Sequence, residues 1–276
     1  MKVVLAQLAP VPAHPAANAE LLVNVLRNHR DADLAVFPEL FLSGYTFSDL
    51  EQLARLCKPE IERVAQAAAE CRTAVLVGYP QLAGGGVANA LACINEEGAL
   101  VGTYRKTHLF GEERKAFVAG DSQSLVFLAG RRIGVLICFD VEFPEPARAL
   151  TVAGAEILVT AAANMAPFQF EHDLLTRCRA LENRRPLIYV NRVGSESGFR
   201  FIGQSRVVGA DGREIVRLGY ESVEVAQCSI PDAIEPDERL DYVKWMRPGL
   251  EVIISDRAST EKGFGNPPRL VPPPSK

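Results

Sequence analysis

The sequence predicts an α/β protein, a four-layer αββα sandwich in which two mixed sheets pack together and helices cover both outer faces. Short apolar runs of strand type alternate with segments whose apolar residues recur at helical spacing. The alternation occurs in both halves of the chain, which indicates two similar layers of sheet and helix. The 276 residues are 48% hydrophobic, so enough apolar side chains are available for a large core.

The first half begins with a strand and continues with a helix in which Leu21, Leu22, Val25 and Leu26 recur at helical spacing. Glycine and asparagine clusters at 84–86 and 95–98 separate the later strands. The predicted strands are 2–8, 34–37, 73–79, 87–94 and 99–104, and the predicted helices are 16–29 and 60–72.

The second half repeats this pattern. Pro144 falls in the first turn of a predicted helix, where proline is well tolerated. The predicted strands are 125–128, 132–137, 156–160, 186–191, 204–208, 214–217 and 223–230, and the predicted helices are 144–153 and 168–183.

Residues 1–262 are expected to form one domain, and residues 263–276 a separate tail. Five of the fourteen tail residues are prolines, so the tail is predicted to be extended or disordered rather than part of the core.

Charge and cysteine content exclude several classes of protein. The net charge is −4 and the cations are scattered, so neither a nucleic acid nor a membrane surface is an expected partner. The N-terminal apolar run is too short for a signal peptide, which favours the cytoplasm and reduced thiols. None of the six cysteines forms a C-x-x-C pair, and the four histidines lack ligand spacing, so no metal site is predicted.

Three predicted strands end on a residue capable of chemistry. Glu39 follows the strand 34–37, Lys106 follows 99–104, and Cys138 follows 132–137. Taken singly, each has an ordinary explanation: a solvated loop glutamate, a surface lysine and a core cysteine. Together they suggest a hydrolase with a cysteine nucleophile.

A cysteine nucleophile needs a base, donors for the oxyanion and a proton for the leaving group. His108 is the one histidine near a strand end, and Glu39 is the alternative base, provided that a dry pocket raises its pKa. Lys106 would supply positive charge to the oxyanion, and the backbone N–H of Phe139 would be a second donor.

The segments 37–39 (FPE), 104–110 (YRKTHLF) and 138–145 (CFDVEFPE) resemble the three signature segments of the nitrilase superfamily of carbon–nitrogen hydrolases, in the same order. The resemblance spans about residues 1 to 250. It implies an αββα protomer that pairs into a homodimer or a higher homo-oligomer.

The resemblance also implies roles for individual residues. Glu39 matches the family's general base, Lys106 the oxyanion-stabilising lysine and Cys138 the nucleophile. Glu113 matches a second glutamate that positions the substrate and the lysine, with Glu112 as the competing candidate.

Substrate contacts are expected from Phe139, Glu142, Asn164 and Met165. Among superfamily members, the motifs look most like those of short aliphatic amidases such as 5-aminovaleramidases and R-stereoselective amidases. Relatives with acidic substrates tend to carry arginine where this chain has Glu142, so we expect Glu142 to favour a cationic or neutral amide. The competing interpretation of Glu142 is a structural cap or a dimer contact.

The resulting hypothesis is an amidase that releases ammonia from a small aliphatic carboxamide, with or without an amino group, through a thioester and without a cofactor. One alternative is another superfamily reaction: hydrolysis of an N-carbamoyl amine, an omega-amide or a nitrile. Phe139 argues mildly against a nitrilase, because true nitrilases usually have tryptophan beside the cysteine. Another alternative is a non-catalytic binding protein on the same fold.

Overall fold

Two six-stranded mixed sheets lie at the centre of the protein and are covered by helices, as predicted. A computed structural model describes residues 1–230 and 238–247. Residues 1–244 form one compact unit. The predicted domain boundary at residue 262 and the tail 263–276 lie outside the described residues.

The first sheet combines a parallel centre with antiparallel edges. Its strands, in spatial order, are Glu224–Ser229 (β14), Lys2–Gln7 (β1), Leu34–Val36 (β2), Ala74–Ala83 (β3), Gly86–Ile94 (β4) and Leu100–Arg105 (β5). Strands β1, β2 and β3 are parallel, whereas β14, β4 and β5 pair antiparallel with their neighbours.

The second sheet has the same plan. Its strands, in spatial order, are Glu214–Arg217 (β13), Arg206–Val208 (β12), Leu187–Asn191 (β9), Ile157–Ala162 (β8), Arg131–Ile137 (β7) and Ser124–Leu128 (β6). Strands β7, β8 and β9 are parallel, and the outer strands are antiparallel. Strands Val193–Glu196 (β10) and Phe199–Ile202 (β11) form a separate hairpin.

The alternation of side chains along each strand divides the core into layers. In β1, Val3 and Leu5 pack between the two sheets, whereas Val4 and Ala6 face the helices of the first sheet. The helices are Pro15–Asn28 (α1), Leu50–Cys71 (α2), Glu113–Ala116 (α3), Pro144–Val152 (α4) and Gln169–Asn183 (α5). Helices α1 and α2 cover the first sheet, and α4 packs on β7 and α5 on β9 of the second. None of the described helices is long and apolar enough to cross a membrane.

Two local predictions were wrong or incomplete. Helix α2 begins at Leu50 rather than at residue 60, and Pro59 lies inside it. The predicted start at residue 60 is too late, because the buried stripe of α2 extends to Leu53 and Ala54 and stabilises the extra turns through tertiary packing. The β10–β11 hairpin was not predicted, because its short strands lack a clear apolar alternation.

Candidate active site

The loop that carries Glu39 lies directly on strand β3. Gly78 makes this possible, because a Cβ at residue 78 would stand 2.3 Å from the backbone nitrogen of Leu40. Backbone hydrogen bonds join Gly78 N to Pro38 O (3.2 Å) and Leu42 N to Gly78 O (3.0 Å). The loop therefore turns sharply after β2 and places the Glu39 side chain in the interior, where it is fully buried.

Both carboxylate oxygens of Glu39 accept hydrogen bonds. Oε1 accepts from Lys106 Nζ at 2.6 Å and from Asn89 Nδ2 at 2.7 Å, and Oε2 accepts from the backbone N–H of Ala163 at 2.9 Å. Burial raises the pKa of Glu39 to about 7, although the charge of Lys106 opposes the shift and the charge of Glu113 adds to it. A carboxyl group with this pKa can exchange a proton near neutral pH.

Lys106 is buried between two carboxylates. Its Nζ donates to Glu113 Oε2 at 2.8 Å and Oε1 at 3.0 Å, as well as to Glu39. Burial alone would lower the pKa of Lys106, but the charges of Glu113 and Glu39 outweigh it and raise the pKa well above its usual value. Lys106 is therefore a fixed cation.

Glu113, not Glu112, contacts Lys106. Glu113 is fully buried and also accepts hydrogen bonds from Tyr45 Oη (2.9 Å) and from the backbone N–H of Phe110 (2.8 Å). Glu112 is exposed and pairs with Lys115 at 2.9 Å.

Cys138 begins a 3₁₀ turn, residues 138–142, directly after β7. Its φ of 45° is in the left-handed region, which residues other than glycine rarely adopt and which is often found at functional sites. Burial raises the pKa of the Cys138 thiol well above its usual value, and the charge of Glu39 adds to this effect, whereas Lys106 opposes it. The thiol is therefore protonated at neutral pH and needs a base in order to react.

Asp140 ties the cysteine turn to the segment that follows β5. Its Oδ2 accepts from the backbone N–H of Ile137 (2.9 Å) and from Tyr104 Oη (2.8 Å), and its Oδ1 accepts from the backbone N–H of His108 (3.0 Å). The Nδ1 of His108 also lies 2.9 Å from Asp140 Oδ1, and its ring stacks on Phe143. His108 is thus engaged with Asp140, whereas the charge of Glu39 acts on the thiol.

A small cavity opens beside the thiol. The four residues predicted to contact substrate all line it, together with three aromatic rings and a histidine. The lining residues are Tyr45, Phe110, Cys138, Phe139, Glu142, Ala163, Asn164, Met165, Phe168 and His172. The rings of Phe110, Phe139 and Phe168 meet edge to face, with centroids 5.3 and 5.4 Å apart, so much of the wall is apolar.

Sequence reasoning missed Asn89, Tyr45 and His172. Asn89 had a usable signal, since it is a lone amide within the otherwise apolar strand β4 (GVANALACI) and is fully buried. Tyr45 and His172 had none, because their partners are distant in sequence: Glu113 for Tyr45, and Glu142 and Tyr189 for His172.

The fold is that of a carbon–nitrogen hydrolase of the nitrilase superfamily. Residues 2–237 match the carbon–nitrogen hydrolase family model, and the chain belongs to that family. The superfamily predicted from the three sequence segments is thereby confirmed.

Individual relatives agree with this assignment. A protein described as a hydrolase in the pqqF 5′ region, from Pseudomonas protegens, is 42% identical over 228 residues, which is 80% of each chain. An (R)-stereoselective amidase from a Pseudomonas species is 34% identical and covers 88% of this chain and 90% of its own.

The NitN amidase of Nesterenkonia sp. AN1 has a similar solved structure. It superposes with a TM-score of 0.82 at 29% identity, over 90% of this chain and 96% of its own. Other structures of that amidase hold butyramide, or carry the acetamide moiety of fluoroacetamide bonded to the active-site cysteine.

Proposed function

We propose that this enzyme hydrolyses small aliphatic carboxamides to a carboxylate and ammonia through a thioester on Cys138. The observation that carries the proposal is the buried cluster of Glu39, Lys106 and Glu113 against a thiol that lines a cavity. Burial of this cluster costs free energy, because two carboxylates share one ammonium. Buried charged groups of this kind are typical of catalytic sites.

In the first half-reaction Glu39 accepts the proton of Cys138 as the sulfur attacks the amide carbonyl. The carbonyl oxygen becomes an oxyanion, which Lys106 Nζ and the backbone N–H of Phe139 stabilise. Glu39 then donates the proton to the amide nitrogen, the carbon–nitrogen bond breaks, and ammonia leaves. The acyl group remains on sulfur as a thioester.

In the second half-reaction Glu39, again a carboxylate, accepts a proton from water as the water oxygen attacks the thioester carbonyl. Collapse of the intermediate breaks the carbon–sulfur bond, and the proton returns from Glu39 to the sulfur. The product leaves as the carboxylic acid and loses its remaining proton to the released ammonia or to solvent, which gives the carboxylate, and Cys138 is a thiol again. A single carboxyl group with a pKa of about 7 is suited to accept and donate in turn.

Glu142 supports a preference among amides. Its carboxyl group lies in the cavity lining with Cys138 and near apolar rings. A negative charge at this place favours a substrate with a distal ammonium and disfavours a half-amide with a distal carboxylate. We propose 5-aminovaleramide as a better substrate than glutaramate.

A panel of substrates tests the proposal. Ammonia release is measured from 5-aminovaleramide, glutaramate, butyramide, an N-carbamoyl amine and a nitrile, with Cys138→Ala as the control. Turnover of the amides that Cys138→Ala abolishes supports the cysteine amidase. A preference for the carbamoyl amine or the nitrile would replace it with the corresponding superfamily reaction, and inactivity on all five would favour the non-catalytic alternative.

The paired assembly and the cytoplasmic location remain predictions. Helices α4 and α5 expose apolar side chains that a second copy would cover: Val152 (55% exposed), Phe170 (68%) and Leu174 (45%). Sedimentation of the purified protein would reveal a homodimer or a larger homo-oligomer, and cell fractionation would locate it.

A further inference from the structure

Glu142 is held from two sides by helix α5. Arg179 on α5 donates to the backbone oxygens of Val141 (3.0 Å) and Glu142 (2.8 Å), which fixes the end of the cysteine turn. The side chain of Glu142 is fixed separately, since its Oε1 lies 3.2 Å from Nε2 of the buried His172. The carboxylate therefore has a defined place in the cavity lining.

His172 has its own partner on the far side of the ring. Its Nδ1 lies 2.8 Å from the hydroxyl of Tyr189, which is buried on strand β9. Because the Glu142 carboxylate can only accept, the hydrogen of a neutral His172 ring belongs on Nε2, and Nδ1 accepts a hydrogen bond from the Tyr189 hydroxyl, whose pKa burial raises well above its usual value. A neutral imidazole that accepts at Nδ1 carries its hydrogen on Nε2, and that hydrogen points to Glu142.

The surrounding charges favour the neutral imidazole. Burial lowers the pKa of His172; Glu142 opposes this shift, and the charges of Arg206 and Lys106 add to it. Arg206 lies over the Tyr189 ring and pairs with Asp173 and Glu214, so its own charge is balanced on the outer side. With His172 neutral, the carboxylate of Glu142 keeps its full negative charge toward the cavity.

We infer that His172 is a positioning residue that, held by Tyr189, orients Glu142 as a fixed anion for the distal ammonium of an ω-amino carboxamide. Glu142 is the one acidic side chain among the described residues that line the cavity, so it is the anion that a ligand in the cavity would meet. The rings of Phe110, Phe139 and Phe168 add surfaces that suit the methylene chain and favour a nearby cation. This inference rests on the proposed amidase function.

Binding to a Cys138→Ala protein tests the inference without turnover. Calorimetry compares 5-aminovaleramide with valeramide, which differs only in lacking the amino group. We expect His172→Phe to reduce the preference for 5-aminovaleramide roughly tenfold, since a hydrogen bond to a charged group is lost. His172→Gln should restore part of the preference, Tyr189→Phe should lose part of it, and His14→Gln, at an exposed histidine, should change nothing.

The outcomes separate the two proposals. A parallel loss of both amides in His172→Phe, or no preference for 5-aminovaleramide in the parent, would overturn the role of His172. A preference that depends on His172 in a protein whose wild type releases no ammonia would preserve that role and reject the amidase. Nitrogen NMR of His172 adds a direct check: a hydrogen on Nδ1 rather than Nε2 would contradict the inference.

Discussion

Glu39 and Ala163 join the two sheets at the active site. Glu39 follows β2 of the first sheet, Ala163 follows β8 of the second, and the Ala163 N–H donates to Glu39 Oε2 at 2.9 Å. The two residues are 124 positions apart in sequence and follow strands of different sheets, so this contact forms only once the sheets have packed together. The proposed base is therefore assembled by the tertiary fold and by neither half alone.

Removal of the thiol should abolish turnover and leave the fold intact. Cys138→Ala and Cys138→Ser are expected to lower kcat by more than ~1,000-fold, because the proposed nucleophile is lost. Ammonia release measures the loss, and circular dichroism checks the fold. Wild-type turnover in a folded Cys138→Ala protein would refute the thioester mechanism.

The activity should depend on pH through Glu39. Its pKa is raised to about 7, so below that pH the carboxyl is protonated and cannot accept the proton of Cys138. We expect kcat/KM to fall as the pH decreases through about 7 and to reach a plateau above it. If kcat/KM stays constant as the pH decreases to the usual pKa of a glutamate, Glu39 is not the base.

Asn89→Ala should shift the fall of kcat/KM on the acid side of the profile to higher pH. The Asn89 amide donates to Glu39 and lowers its pKa, so loss of the amide should raise the pKa further. The midpoint of the kcat/KM profile should shift to higher pH, with the largest loss of activity on the acid side. A uniform loss at all pH values would indicate a packing defect instead of a change at Glu39.

The two neighbouring glutamates offer a matched pair of variants. Glu113→Gln replaces a buried carboxylate on Lys106 and should lower kcat/KM roughly a hundredfold, because the cation loses a charged partner that holds it in place. Glu112→Gln changes an exposed residue and should stay within about twofold of wild type. Equal effects of the two variants on kcat/KM, or a larger effect of Glu112→Gln, would contradict the assignment of Glu113 as the glutamate that holds Lys106.

Much of the fold could be predicted from the sequence, because the central strands are buried on both faces. Such strands read as continuous apolar runs, as in ILVTAA (β8) and LIYVN (β9), and a reactive residue after a run is visible by contrast. Glu39 and Cys138 are visible for this reason, whereas Lys106 follows β5, an edge strand that is largely exposed. The sequence motifs were needed to connect the three residues.

The rest of the site depends on contacts that no local pattern encodes. The choice between Glu113 and Glu112 required the position of Lys106, since both belong to one short turn. The environment of Glu142 required helix α5, which supplies His172 from a segment with ordinary helical spacing. Similarly, the N-terminal part of α2 is stabilised by packing, which outweighs the local preference of Pro59.

The left-handed backbone conformation of Cys138 lowers the stability of the fold at the same position that supplies the proposed nucleophile. A glycine would adopt the φ of 45° without the strain, about 1 kcal/mol or more, that a side chain incurs there. Glycine would relieve the backbone strain but has no sulfur, whereas cysteine supplies the sulfur and retains the strain. Selection for thermal stability should therefore favour glycine at position 138, whereas selection for turnover should favour cysteine. A screen for thermal stability alone would be expected to enrich inactive proteins.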